Sequence, residues 1–235
     1  MTNSSATIVL VHGAWADGSS WSRVIPILQD KGFQVIAAQI PLTSVEDDLA
    51  AANRIVADTK GPIVLVGHSW GGMAVTQAGI DPKVAALVYV SAFAPDVGET
   101  GSSLIGAHPT PPALSTAVTD SVGFVYQTEE GMLKNVAPDL PAEEARILAV
   151  TQARLAGKAF GQTVAVAAWK TKPTWFLITS EDRVVSPELQ AAEAKRMAAK
   201  TTTLLDSSHM SLLSHPSEVA SVIEDAAATV VSRAG

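Results

Sequence analysis

Residues Ile63 to Val75 read Ile-Val-Leu-Val-Gly-His-Ser-Trp-Gly-Gly-Met-Ala-Val, a strand-like run that turns through Gly67-His68-Ser69-Trp70-Gly71 into small, helix-compatible residues. Four β-branched or leucine residues suit a strand covered on both faces, and the small residues after the turn suit a helix packed close against it. Ser69 therefore stands where the backbone bends most sharply. Such a bend holds its central residue at strained φ/ψ and tolerates little bulk beside it, which Gly67 and Gly71 provide. The five-residue pattern alone can arise by chance; the strand before it and the helix after it make Ser69 a candidate nucleophile.

The same alternation runs along the chain. Ala6 to Val11, Gln34 to Ala38, Ile63 to Val66, Val84 to Val90, Thr174 to Thr179 and Thr202 to Leu205 read as strands separated by helical stretches. This implies βαβ crossovers and a mostly parallel sheet, the α/β class. Gly32 closes the first helix, Ser44 opens the second with Asp47 three residues on, Ser186-Pro187 opens a later one, and the last begins at Pro216. Pro187 to Ala199 carries charge on one side and alanine on the other, as an outer-layer helix should. The expected organisation is one domain over residues 1–235 with an insertion at approximately 94–172, where the alternation breaks. That insertion begins as a Gly-, Pro-, Ser- and Thr-rich loop and continues as two helices, one near Thr128 to Val136 and one from Pro141 to before Gly157. A helical insertion between two sheet strands is a cap, and it emerges on the same side of the sheet as Ser69.

Composition narrows the function classes. With 47% hydrophobic residues and a mean hydropathy of +0.24, the chain is not disordered, and no apolar run is long enough for a membrane span. Met1 to Ser5 is too short and polar for a signal peptide, so a cytoplasmic location is expected. Zero cysteines exclude thiolate catalysis and cysteine-ligated metals. A net charge of −7 without a Lys/Arg cluster argues against nucleic acid or an anionic membrane as partner and suits a small neutral substrate.

A serine nucleophile needs a base, and five histidines compete. His209, in Asp206-Ser207-Ser208-His209-Met210, follows the last strand and lies on a loop at the carboxyl edge of the sheet, so it is the candidate base. His68 should point away into the packing, His12 marks a turn, His215 caps the last helix, and His108 in the insertion can reach substrate. Asp182 follows the Trp175 to Ile178 strand and completes the chain order Ser, Asp, His, orienting the imidazole. Glu181 and Asp96 are the other carboxylates after strands. Two backbone N–H groups should face the developing oxyanion: that of Trp70, after the nucleophile, and that of Ala14 in Val11-His12-Gly13-Ala14-Trp15. Trp15 and Trp70 either pack or line an acyl pocket, and Phe124, Tyr126, Met132, Leu133 and Phe160 of the insertion are further apolar candidates for substrate contact.

His12-Gly13-Ala14-Trp15, Gly67-His68-Ser69-Trp70-Gly71-Gly72, Asp182 and His209-Met210, in this order, resemble the α/β-hydrolase superfamily over nearly the whole chain. Within it the chain looks like the small esterase branch that includes salicylate methyl esterase and the plant hydroxynitrile lyases. The resemblance implies a six-stranded parallel sheet, helices on both faces, a helical cap, no cofactor and no metal. The lyases carry a threonine where Gly13 stands and a lysine where Met210 stands, so the departure favours ester hydrolysis and makes Met210 a neighbour of substrate. The expected function is therefore a serine hydrolase cleaving small carboxylic esters through an acyl-enzyme. The alternatives are a ligand-binding or sensor protein on a hydrolase scaffold, and a lyase or perhydrolase.

Overall fold

Parallel pairing organises the computed structural model, which describes residues 6–204 and 206–233; the leader reading of Met1 to Ser5 and the strand end at Leu205 lie outside them. Nine strands follow in chain order among the described residues: β1 (Thr7–Val11), β2 (Gln34–Ala38), β3 (Ile63–His68), β4 (Val84–Val90), β5 (Ala117–Thr119), β6 (Phe124–Gln127), β7 (Leu155–Ala156), β8 (Thr174–Thr179) and β9 (Lys200–Leu204). Six form one sheet in the order β2-β1-β3-β4-β8-β9, with every neighbouring pair parallel. The order reverses at β1 and β3, the switch point at which open α/β sheets bind ligands beside the carboxyl ends of their strands. Every residue of β1 and β3 is buried, as their unbroken apolar runs require. By contrast, β9 exposes Lys200 to Thr203 at the sheet edge.

The helices are α1 (Val24–Asp30), α2 (Val45–Asp58), α3 (Gly71–Ala78), α4 (Gly101–Gly106), α5 (Glu129–Gly131), α6 (Ala142–Thr151), α7 (Pro187–Arg196), α8 (Ser211–Ser214) and α9 (Pro216–Arg233). α1 packs with α9 and α2 with α3, and both pairs lie against the sheet. Ser44 caps α2 through Asp47 N, which satisfies a donor that the first helical turn leaves unpaired. α7 exposes Glu188, Lys195 and Arg196 on its outer face, with one charged residue turned inward. Glu193 is buried because its Oε1 accepts the Ala94 N–H at 2.9 Å.

Between β4 and β8 the chain leaves the sheet, and the helices expected there from the sequence are joined by strands that the sequence did not suggest. α6 starts behind Pro141, and the Thr128 to Val136 stretch forms α5 and a π-helical turn over Met132–Val136. These helices share the insertion with an antiparallel sheet β5-β6-β7. Its strands are three, four and two residues long, too short to display an alternation in sequence. The insertion is fastened to the loops of the main sheet: Trp15 N donates to Ala153 O at 3.1 Å and Ala156 N to Leu42 O at 2.8 Å. No helix of the described residues is long and apolar enough to cross a membrane.

Candidate active site

Ser69 follows β3 directly with φ 51°, a left-handed conformation that a serine adopts only when its surroundings hold it there. They do so by hydrogen bonds on both sides. Its N–H donates to Val90 O and its carbonyl accepts from Gly72 N and Phe93 N, each at 3.1 Å. The helix after it approaches β1 so closely that a Cβ on Gly71 would lie 2.6 Å from the carbonyl oxygens of Val11 and His12. Glycine at 71 is thus a steric requirement of the elbow. The loop after β1 closes over Ser69 in the same way, since a Cβ on Gly13 would fall 2.6 Å from Ser69 Cβ.

Asp182, after β8, and His209, before α8, meet in the interior: His209 Nδ1 donates to Asp182 Oδ2 at 2.8 Å, with both residues buried. Asp182 Oδ1 accepts Val184 N and Val185 N at 2.8 and 3.0 Å, and Oδ2 also accepts Gln190 Nε2 at 2.9 Å and Thr179 Oγ1 at 3.1 Å. Five donors converge on one carboxylate, an acceptor-only group that this pocket is built to hold. With its proton on Nδ1, His209 turns the bare lone pair of Nε2 outward from Asp182, and Nε2 is buried without a hydrogen-bond partner among the described residues. The Ser69 proton is therefore not shared with it in this geometry, a looseness common before substrate binds. The two other carboxylates considered from sequence lie elsewhere. Asp96 pairs with Lys170 at 2.5 Å, which holds its carboxyl below the usual range, and Glu181 is exposed.

His68 corrects the expectation that it points away from the chemistry. Its Nε2–H donates to the His209 carbonyl at 2.9 Å, and its ring lies 4.7 Å from the His209 ring. Burial, reinforced by the neighbouring His209, holds its pKa well below the ordinary value, so it braces the base loop as a neutral donor. His12 also does more than mark a turn: Nδ1–H donates to Gly13 O at 2.9 Å and Nε2 accepts Ile40 N at 3.1 Å, fixing the loop that carries Ala14. The base loop is fastened from the insertion, where Asp139 accepts both Ser208 Oγ and, at 2.9 Å, Ser208 N. His215 caps the approach to α9 and bonds Ser214 Oγ, and His108 is half-buried beside Glu193 and Arg196.

The Ala14 and Trp70 amides take no carbonyl partner among the described residues, which leaves both N–H groups available. Trp70 itself is anchored, its indole N–H donating to Asp48 Oδ2 at 2.9 Å while Asp48 Oδ1 accepts Leu42 N at 2.7 Å. Burial pushes the Asp48 carboxyl up to about 6 against the pull of these donors. The Trp70 ring packs edge-on to Phe160 at 5.2 Å and Phe93 at 6.2 Å, so Phe160 of the insertion lies beside the elbow. Trp15, with φ 59°, is buried and donates from its ring to Val125 O at 3.0 Å, making it a strut between the donor loop and the insertion. Met132 and Met210 are buried in the apolar core, with Leu133 packed against it. Phe124 and Tyr126 share one half-buried face of β6, and the core-facing positions are Val125 and the buried Gln127. Tyr126 lies under the Arg154 guanidinium, 4.2 Å from its ring centre. Neither Gln190 nor Asp48 was named by motif, because each reaches the site from a helix with no local signature of that contact.

Comparison with known proteins agrees with this architecture. A probable hydrolase, R7, of Phoma sp. is 27% identical over 94% of this chain and 97% of its own length. A carbendazim hydrolyzing esterase of Nocardioides sp. is 32% identical over 43% of this chain and 47% of its own. The crystal structure of polyneuridine aldehyde esterase superposes with a TM-score of 0.81 over 94% of this chain and 98% of that one, at 18% identity. The model of the alpha/beta hydrolase family matches residues 8–222, and this chain belongs to that family.

Proposed function

We propose that this protein is a serine esterase in which Ser69 attacks an ester carbonyl, His209 takes and returns the proton, and Asp182 orients His209. The Ala14 and Trp70 amides receive the oxyanion, and water releases the acyl group from Ser69. The observation that carries the reading is the buried Asp182–His209 pair with a bare Nε2, placed at the carboxyl end of the sheet that also presents the strained Ser69. Relatives described as a probable hydrolase and an esterase support it. Two residues weigh against cyanohydrin cleavage: Gly13 has no room for the lyases' threonine beside Ser69, and the buried, uncharged Met210 stands where they carry a lysine. The aromatic cluster of Trp70, Phe93 and Phe160 near the elbow, together with the net charge of −7, favours small neutral esters with apolar groups.

Hydrolysis of p-nitrophenyl acetate by Ser69→Ala tests this directly, with an expected loss of roughly 10³-fold or more in kcat. Parent activity is expected to decline toward acid pH as His209 takes up a proton and ceases to be a base. Equal turnover by Ser69→Ala, or a flat profile from acid to neutral pH, would sink the proposal.

A further inference from the structure

The Asp182 carboxylate is held by a side chain that lies eight residues on, inside α7. Gln190 is fully buried, and its amide has one orientation open to it. Oε1 accepts Thr179 N at 3.1 Å, while Nε2 donates to Asp182 Oδ2 at 2.9 Å and to Val185 O at 2.7 Å. A flipped amide would place its oxygen against two acceptors and its NH₂ against the Thr179 N–H. The partners themselves therefore fix which end faces the carboxylate. Thr179 Oγ1 donates to the same Asp182 oxygen at 3.1 Å and is paired with Ser91 Oγ at 3.0 Å. Oδ2 is thus the shared terminus of His209, Gln190 and Thr179.

We propose that Gln190 is a positioning residue for the Asp182–His209 pair, locking the carboxylate rotamer and drawing off part of the negative charge that His209 feels. The proposal rests on the esterase reading for its kinetic consequence, though the geometry stands apart from it. Each added donor on Oδ2 weakens the attraction between that oxygen and an imidazolium. Removing one leaves more of the carboxylate's charge to stabilise the protonated histidine. Besides Asp182, the titratable group facing His209 is His68, with Asp139 bonded to the adjoining Ser208 and Glu181, Arg183 and Asp206 lining the shallow cavity beside it. On the α7 side Glu193 is the buried neighbour one turn on. None of these is altered by the substitution.

Gln190→Met keeps the side-chain length and deletes the amide's hydrogen bonds to Thr179, Asp182 and Val185. NMR titration of the His209 imidazole in the full-length parent and variant is expected to show the midpoint rise by roughly half to one pH unit, with the acid limb of kcat/KM moving upward by the same amount and kcat falling at neutral pH. Thr179→Val, which removes the other side-chain donor to Oδ2, should move the midpoint in the same direction and decides the question if the methionine variant fails to fold. Loss of kcat with an unmoved His209 midpoint would reduce Gln190 to a packing residue and overturn the proposal, as would a downward shift. Because the titration reads His209 without turnover, a parent that hydrolyses no ester would defeat the esterase reading while leaving this test valid.

Discussion

His68 shows how a single residue inside a motif carries more than the motif states. The pattern around Ser69 asks only for small neighbours, and position 68 is free within it, yet the structure uses the imidazole to hold the base loop. His68→Leu removes the donor to a buried carbonyl, which costs about 1–3 kcal/mol when left unpaired. The variant is expected to lose that much stability in urea unfolding, and its kcat should fall more than its KM rises, because the contact orients His209 and not the substrate. His68→Gln, whose amide can reach the same carbonyl, should recover most of both. A leucine variant with unchanged kcat would remove His68 from the site. The contact was invisible in sequence for a plain reason: 141 residues separate the two histidines, and only the parallel pairing of strands between them brings their loops together.

At the scale of elements, the inner strands of the main sheet were legible because buried parallel strands are unbroken apolar runs, as in Ile63 to Val66 and Val84 to Val90, whereas the exposed edge strand β9 starts at Lys200, two residues before the run read from Thr202. The placement of Ser69 and Asp182 at the carboxyl end of the sheet was legible for the same reason, since each follows such a strand, β3 and β8. The insertion was not. Strands such as Leu155–Ala156 take their form from pairing partners, and the composition of Gly98 to Thr119 announces loop without saying what the loop packs on. α2 makes the same point from a helix: Asp48 looks like one of three first-turn acids, yet it alone turns inward to join the Leu42 loop to the Trp70 indole. Asp48→Asn presents an amide N–H₂ to one of those two donors. It is expected to cost about 1–3 kcal/mol in denaturant unfolding and to lower kcat/KM for ester, since the proposed mechanism draws an oxyanion donor from Trp70. If Asn at 48 is silent in both measurements, the α2 contact does not position the elbow.

The whole molecule balances buried groups whose ionisation opposes folding from both sides of neutrality. Burial lowers His12 and His68 below their ordinary value of 6.5, so the unfolded chain takes up protons that the folded one refuses, and stability falls as pH drops through and below that value. Glu193 acts in the other direction. Burial raises its carboxyl from 4.5 to about 8, and its Oε2 has no partner among the described residues. Arg196, 3.9 Å away, is engaged with Glu99 and the Ala94 carbonyl, each at 2.8 Å. The folded state thus keeps a proton that the unfolded chain releases, and this group's contribution declines as pH rises from 4.5 to about 8. Glu193→Gln keeps an oxygen for the Ala94 N–H and cannot ionise. Parent and variant should be similar in stability near the low end of that window, with the variant gaining roughly 1 kcal/mol per pH unit across it. Urea unfolding at the two ends of the window and its middle measures the gap. A gap that stays constant with pH would mean that the folded protein holds Glu193 ionised against Arg196, and that the alkaline side of the balance lies elsewhere.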